Sequence, residues 1–482
     1  MTRYAEMSPA RLMTEGGDGR IRLDAATGLN KYFSAPRPRE ILAYASSTAN
    51  DISPAAYAEV ERVLAALGPD PSPEAYRARL ETLRDRIRRA YRLGDDVALV
   101  FAPSGTDLEY VALACVKARE PAGTNAILLG ADEVGSGCIL SAHGLYFADE
   151  TALGVKVKQG DPIAGLGGAK VDLIDIPVRD RDGKVRPSDE IAARMASSIA
   201  TARADRRHSL VHVVHGSKTG LILPSLGDID RLAAEGATLV VDACQARITS
   251  AAMQAYLTRD AIVFVTGSKF MGGPPFSGFA LIPRALAEAP SPLPEGFASI
   301  FRSAEWPAGW PGAEKLPDGP NLGLLLRLEA SVFELERFQR LPTDQVERVV
   351  LAFHAAIRAE IVAKTPARRV APYPPGQVED ADSHPIEMRT LSTLDLSGFQ
   401  PGGASFEDAQ RWHKAMALSG VRVGQPVKCG RLADGRWGAT LRIGLSMPQV
   451  AEAAALTGEA MAARFASDMA AIREALVATS AV

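Results

Sequence analysis

Seven short apolar runs separated by helix-length segments constrain this chain more than any other feature. They are Val97–Phe101, Ala126–Leu129, Val171–Ile176, Leu210–Val214, Thr238–Val241, Ala261–Val265 and Phe279–Ile282. A strand with one wet face alternates apolar and polar residues. Several of these runs are apolar throughout, as strands buried on both faces are. The pattern predicts an α/β fold, with a mostly parallel seven-stranded sheet carrying helices on both faces, over about residues 96–290.

Composition narrows the function. The 482 residues are 47% hydrophobic and 23% charged, which is ordinary for a globular chain with a large core. A net charge of −3 gives no bulk electrostatic pull toward nucleic acid or an anionic membrane, and neither is expected as a partner. The four cysteines include no CxxC pair, so neither a disulfide scaffold nor a zinc ribbon is expected, nor any other metal site. Residues 1–20 lack the apolar core of a secretion signal, and no apolar run approaches the ~18 residues of a membrane span. A cytoplasmic protein is expected.

Three regions are expected. Residues 1–50 read as an irregular arm packing near the active site, its periodicity broken by Pro36, Pro38 and the cluster Ser46, Ser47, Thr48 and Asn50. Residues 51–320 form the large α/β domain. It opens with a helix from Ser53 to Gly68, Pro54 in its first turn. A second helix, from Pro73 to Gly94, has Leu80, Leu83, Ile87 and Tyr91 on one face and an arginine-rich, solvated remainder. The Pro/Gly-rich stretch 287–320, with Trp306 and Trp310, reads as a functional connection. Residues 321–482 comprise linking helices (321–340 and 343–364) and a smaller α+β domain. That domain has strands near 385–391 and 439–446 and helices near 405–419 and 448–478.

Four features carry chemistry. Lys269 follows the apolar strand ending at Val265 and enters the Gly272-Gly273-Pro274-Pro275 loop. Ligands of open α/β sheets sit outside the carboxyl ends of strands, where a desolvated lysine can form a Schiff base; an ordinary surface lysine is the plainer reading. Asp242 ends the strand Leu239-Val240-Val241 and would suit a protonated ring nitrogen, or a helix cap. Gln245 would donate to a phenolic oxygen of the same ligand. Ser104-Gly105-Thr106 joins a strand to a helix and would cradle a phosphate, or simply cap the helix. Arg442 interrupts an apolar strand and needs a carboxylate, from a substrate or from the protein.

The order of these features resembles that of pyridoxal-phosphate (PLP) enzymes of fold type I, close to the class V aminotransferases and cysteine desulfurases. His215-Gly216-Ser217-Lys218-Thr219-Gly220 resembles the segment whose small polar residue, here Ser217, reaches the ring or substrate. Asp242-Ala243-Cys244-Gln245 resembles the acid-and-glutamine motif. Ser268-Lys269 resembles the Schiff-base lysine preceded by a phosphate-contacting hydroxyl, and Arg442 falls where such enzymes bind the substrate α-carboxylate. The resemblance implies pyridoxal 5′-phosphate as cofactor, with Ser104, Gly105, Thr106, Ser217, Asp242, Gln245, Ser268 and Lys269 around it, and a homodimer. The family's ring-stacking stretch corresponds to Glu133-Val134-Gly135-Ser136, where either Val134 replaces the ring or His143 or Tyr146 serves instead. Leu316-Pro317-Asp318-Gly319-Pro320-Asn321 resembles the stretch that crosses to a partner's phosphate. Thr27-Gly28-Leu29-Asn30-Lys31-Tyr32 is an arm segment able to close over substrate.

The implied activity is transamination between a small amino acid and a 2-oxo acid, with Lys269 as catalytic base. Cysteine desulfuration, with Cys429 as nucleophile beside Lys428, and β-lyase chemistry are the alternatives. A non-catalytic regulatory protein on the same fold is a further one.

Overall fold

The structure is a computed structural model that describes residues 7–68, 70–131, 133–135, 137–371 and 385–481. Ser136 lies outside the described residues. The main sheet runs in the order Val171–Ile176, Thr124–Leu129, His208–His215, Thr238–Asp242, Ile262–Thr266, Gly278–Ile282, Ala98–Ala102. The first five strands are mutually parallel. Gly278–Ile282 is antiparallel to both of its neighbours. A two-residue strand, Ile222–Leu223, pairs antiparallel with the end of His208–His215. Each of the seven apolar runs is a strand of this sheet.

Period-two sorting explains why these runs carry so few polar residues. Leu99, Phe101, Val211, Val213, Leu239, Val241, Val263 and Val265 enter one buried cluster. Their alternates Val100, Ala102, Leu210, Val240, Ile262 and Phe264 enter another on the opposite face. Both faces of the central strands are covered; only the edge strand Val171–Ile176 exposes side chains, at Asp172 and Asp175.

The second face corrects one expectation. The 287–320 connection is packing rather than an open functional loop. Its Phe297, Phe301, Trp306 and Trp310 rings pack at tilted and edge-on angles with centroids 5.0–5.9 Å apart. Trp306 is fully buried.

The arginine face of helix Pro73–Tyr91 is not simply solvated. Arg84 is buried and donates to the Leu99 and Ala304 carbonyls. Arg79 and Arg86 pair with the buried Glu329, and Arg86 also with Glu336. An arginine row facing a neighbouring helix reads the same as one facing water, because periodicity reports only the apolar stripe.

Two C-terminal expectations also shift. The strand expected near 385–391 is Leu391–Asp395, preceded by the 3-10 turn Met388–Thr390. It pairs antiparallel with Thr440–Gly444. The single helix expected over 448–478 is two, Met447–Ala454 and Gly458–Ser480. Thr457 restarts the chain by accepting the Ala460 N–H in its side chain, a cap that outweighs the continuing apolar pattern.

Two sets of contacts anchor the N-terminal arm away from the sheet. Leu42–Tyr44 pairs parallel with Val421–Val423. Arg327, buried on helix Leu322–Gln339, donates to the carbonyls of Met13, Glu15 and Gly16 at 2.6–2.9 Å. These anchors aim residues 18–20 and 46–50 at the carboxyl ends of the sheet strands. Among the described residues, no helix is long and apolar enough to cross a membrane.

Candidate active site

At those carboxyl ends lies a cavity of about 410 Å³. All nine site residues singled out from the sequence line it: Ser104, Gly105, Thr106, Ser217, Asp242, Gln245, Ser268, Lys269 and Arg442.

Asp242 and Lys269 arrive from adjacent parallel strands. Asp242 stands opposite Phe264 in the register, five residues before Lys269. The two turns beyond the strands are tied together by Thr266 Oγ1 donating to the Cys244 carbonyl at 2.6 Å and by Phe270 N–H donating to the Gln245 carbonyl at 3.3 Å. The Cys244 N–H donates to Asp242 Oδ1 at 2.8 Å and orients the carboxylate. Asn50 of the arm donates to the carbonyls of Ser268 and Lys269, at 3.0 and 2.6 Å.

The Ser104–Thr106 loop precedes helix Leu108–Val116. Gly105 is required there, since a Cβ would sit 2.8 Å from Thr266 Cγ2. Ser104 builds this loop rather than offering a spare donor. Its hydroxyl donates to Asp107 Oδ2 at 2.6 Å and accepts from the N–H groups of Thr106 and Asp107. Burial pushes the Asp107 carboxyl up to about 7.

The extra donor is Arg20, which the sequence reading did not select. Its Nη2 lies 3.3 Å from Ser104 Oγ and its Nη1 3.3 Å from Thr106 Oγ1. Asp18 holds the guanidinium from one side, with contacts of 2.7 and 2.8 Å. The Phe147 and Phe276 rings sandwich it at 4.9 and 4.6 Å. Burial alone would raise the Asp18 carboxyl, but the Arg20 bonds and charge hold it below the ordinary range.

Ser217 also departs from its expected role. Its hydroxyl donates to Glu133 Oε2 at 2.7 Å, and Glu133 is paired with Arg179 at 2.7 Å. Burial would raise the Glu133 carboxyl, but Arg179, Ser217 and Thr219 together lower it. Gln245 is likewise engaged, donating to the Ser47 carbonyl at 3.2 Å and accepting from Arg247 at 2.7 Å.

Arg442 is 3% exposed, and among the described residues no acid pairs with it. Its donors go to the carbonyls of Gln425, Ser47 and Lys218 and to Thr48 Oγ1, at 2.8–3.3 Å. Burial lowers its pKa to about 10. A buried guanidinium whose hydrogen-bond partners are all neutral keeps an uncompensated charge that an anion would stabilise.

Of the three stacking candidates, Val134 lines the cavity, whereas His143 and Tyr146 do not. The Tyr146 hydroxyl instead lies 3.4 Å from Ser299 Oγ. The rings on the cavity are Tyr32, from the arm segment, together with Phe276 and Phe406. Leu316–Asn321 stays outside this cavity: Asn321 caps helix Leu322–Gln339 and, with Pro320, lines a separate cavity of about 660 Å³. Cys429 is also outside it, and burial pushes its thiol up to about 11.

No known family model matches the chain, and no curated protein does. Solved structures do match. An apo cysteine desulfurase from Thermococcus onnurineus NA1 superposes with a TM-score of 0.55 at 15% identity, over 90% of this chain and 95% of that one. A NifS-like protein from Rickettsia africae gives 0.55 at 14% identity, covering 92% and 100%. The ureidoglycine-glyoxylate aminotransferase from Bacillus subtilis gives 0.52 at 14%, covering 92% and 99%. The fold is fold type I of the PLP enzymes.

Within this fold type I framework, the cavity residues that sequence did not mark include Arg20, Ser47, Thr48, Cys138, Lys218, Phe276 and Phe406. Ser47 and Thr48 belonged to a cluster that registered only as a break in periodicity. Lys218 lies within His215–Gly220, where the flanking small residues carry the resemblance. Nothing in residues 1–40 marked Arg20, because a chain without periodicity gives no indication of which side chain turns inward.

Proposed function

We propose that this cavity holds pyridoxal 5′-phosphate and that the protein is an aminotransferase acting on an amino acid and a 2-oxo acid. The observation that carries this is the convergence of Lys269, Asp242 and Arg442, from three separate strands, on one cavity. The residues fit the cofactor. Gly105 lets the loop before helix Leu108–Val116 pack closely on Thr266, and Thr106, Ser268 and Arg20 line the cavity beside it as donors for a phosphate. When bound, the cofactor supplies the electron sink that makes an α-proton removable.

The protein does the rest. Lys269 Nζ would hold the cofactor covalently and, once released, move the α-proton as general base and acid. Asp242 keeps a ring nitrogen protonated by charge and hydrogen bonding. Arg442 would receive the α-carboxylate by charge and through the Nη2 N–H that Thr48 does not take, its orientation set by the carbonyls of Gln425, Ser47 and Lys218. Val134 offers an apolar wall where many relatives are expected to use a ring.

A desulfurase route through Cys429 has less support, because that thiol is buried, raised in pKa and outside the cavity. A homodimer and a cytoplasmic setting complete the proposal; the four free cysteines suit a reducing compartment. The test is a visible absorbance scan of the PLP-loaded protein against a panel of amino acids. Loss of the band with release of the matching 2-oxo acid supports transamination. Sulfide release from cysteine without any 2-oxo acid would replace it with desulfuration.

A further inference from the structure

We propose that the second cavity, of about 660 Å³ beside the N-terminal arm, binds a small oxyanion, a carboxylate or a phosphate, with Arg302 as its principal donor and Arg37 as a second cation. The site is separate from the cavity assigned to the cofactor and does not depend on that reading.

Arg302 carries the argument. It belongs to the 287–320 connection, is half-buried and lines the cavity. Among the described residues, none of its five side-chain N–H donors makes a hydrogen bond. Its Nε is buried without a partner. Its two Nη groups are equally unbonded but not sealed in, which leaves them open to the cavity. Glu305 does not fill this gap. Its carboxylate accepts instead from the Arg302 main-chain N–H at 2.8 Å, the Tyr76 hydroxyl at 3.3 Å and Asn321 Nδ2 at 3.4 Å. Burial also pushes that carboxyl up to about 7, so near neutral pH it sets only part of a charge against Arg302. Largely buried polar groups in folded chains are nearly always bonded, to protein or to something bound.

The rest of the lining sets the sign of the ligand. Its charged residues are Arg11, Arg22, Arg37 and Arg302 against Glu15 and Glu150. Arg11 pairs with Glu15 at 3.5 Å. Arg22 pairs with Glu150, which Lys156 engages as well. Both acids are thus taken. Arg37, which is exposed, makes no hydrogen bond or ion pair among the described residues. Helix Leu322–Gln339 begins in the lining, at Leu322 and Gly323, so the positive end of its dipole adds to Arg37 and Arg302. An oxyanion answers these features together, since two of its oxygens match the two Nη groups of a guanidinium fork to fork. A cation or an apolar ligand would leave them unmet. The volume is in the range of about 300–1,000 Å³ that small-molecule sites occupy. The site also adjoins the first cavity: Gly17 and Arg22 line this one, and Arg20, between them, lines the other.

The experiment is calorimetric titration of the full chain, loaded with PLP so that the first cavity is filled, with inorganic phosphate and with citrate. Trimethyl citrate is the uncharged control. The expected result is saturable binding of phosphate or citrate, about one per chain, with the visible band unmoved and no binding of the control. The tighter of the two anions assigns the source, phosphate or carboxylic acid. Arg302→Met should weaken binding by about tenfold or more, Arg302→Lys should recover part of it, and Arg37→Met should weaken it less. If Arg302→Met does not fold, Arg302→Lys and Arg37→Met carry the test. Absence of saturable binding, or unchanged affinity in the Arg302 variants, would overturn the inference. So would binding that moves the visible band, since the anion would then occupy the first cavity. Dissociation of a dimer in Arg302→Met, with no anion bound by the wild type, would overturn it in favour of an interface between two copies. Failure to take up PLP would remove the earlier reading alone, and the titration of the variants would still decide this one.

Discussion

Arg20 reaches Thr106 across 86 residues of sequence, its Nη1 lying 3.3 Å from the threonine Oγ1. The contact ties the N-terminal arm to the loop at the start of helix Leu108–Val116. Arg327 makes it possible by holding the carbonyls of Met13, Glu15 and Gly16. The arm is therefore part of the proposed cofactor site.

Arg20→Ala should weaken PLP binding by about ten- to a hundredfold, the scale of one charge-assisted contact to a phosphate. Arg20→Lys should recover part of this. Spectral titration of the apoprotein measures both. Unchanged affinity in Arg20→Ala would mean that Arg20 serves only its ion pair with Asp18.

Gly105→Ala tests the shape of the loop. The added Cβ would meet Thr266 Cγ2 at 2.8 Å, with Cys244 Sγ at 3.4 Å, and neither can withdraw far from a packed strand end. A cost of roughly 1–3 kcal/mol is expected, as for other overpacked sites. Denaturant unfolding of the apoprotein should show it, together with weaker cofactor binding.

The seven apolar runs were legible because burial on both faces removes the ambiguity of alternation: Val240 and Val241 face opposite cores and are both apolar. Asp242 and Lys269 each admit a plain structural reading, a helix cap and a surface lysine, and were legible only through their order along the chain with the Ser104–Thr106 loop and Arg442. Arg442 was legible because a guanidinium inside an otherwise apolar strand, Thr440–Gly444, needs a partner. Arg20 was not, since its position depends on Arg327, some three hundred residues away. Ser104 and Ser217 were correctly located in the cavity, but their hydroxyl protons go to Asp107 and Glu133. Position in sequence does not report hydrogen-bond direction. The break at Thr457 was hidden because a threonine cap reads like any other polar residue on a helix.

Glu305 gives a pH test of the core. It accepts from the Arg302 N–H at 2.8 Å, and burial pushes its carboxyl up to about 7 from an ordinary 4.5. Between those values the folded chain keeps a proton that the unfolded chain has released. Stability contributed by this site therefore falls as pH rises through about 4.5 to 7 and is level above that window. Glu305→Gln should be more stable than wild type at pH 8 relative to pH 5, by an amount on the order of 2–3 kcal/mol. A pH-independent difference in denaturant unfolding would contradict this.

Cys429→Ser should leave amino-group transfer within about twofold of wild type, because the thiol lies outside the cavity. Assays of 2-oxo acid formation and of sulfide release on the same preparation check it. Loss of a sulfide-releasing activity in this variant would restore the nucleophilic role.

The covalent position of the cofactor tests the account most directly. The PLP-loaded protein is reduced with borohydride, digested and examined by mass spectrometry for a pyridoxyl-modified lysine. The account predicts stoichiometric modification of Lys269 and loss of the visible band in Lys269→Ala. Modification of Lys218 instead, or a fully retained band in Lys269→Ala, would contradict it.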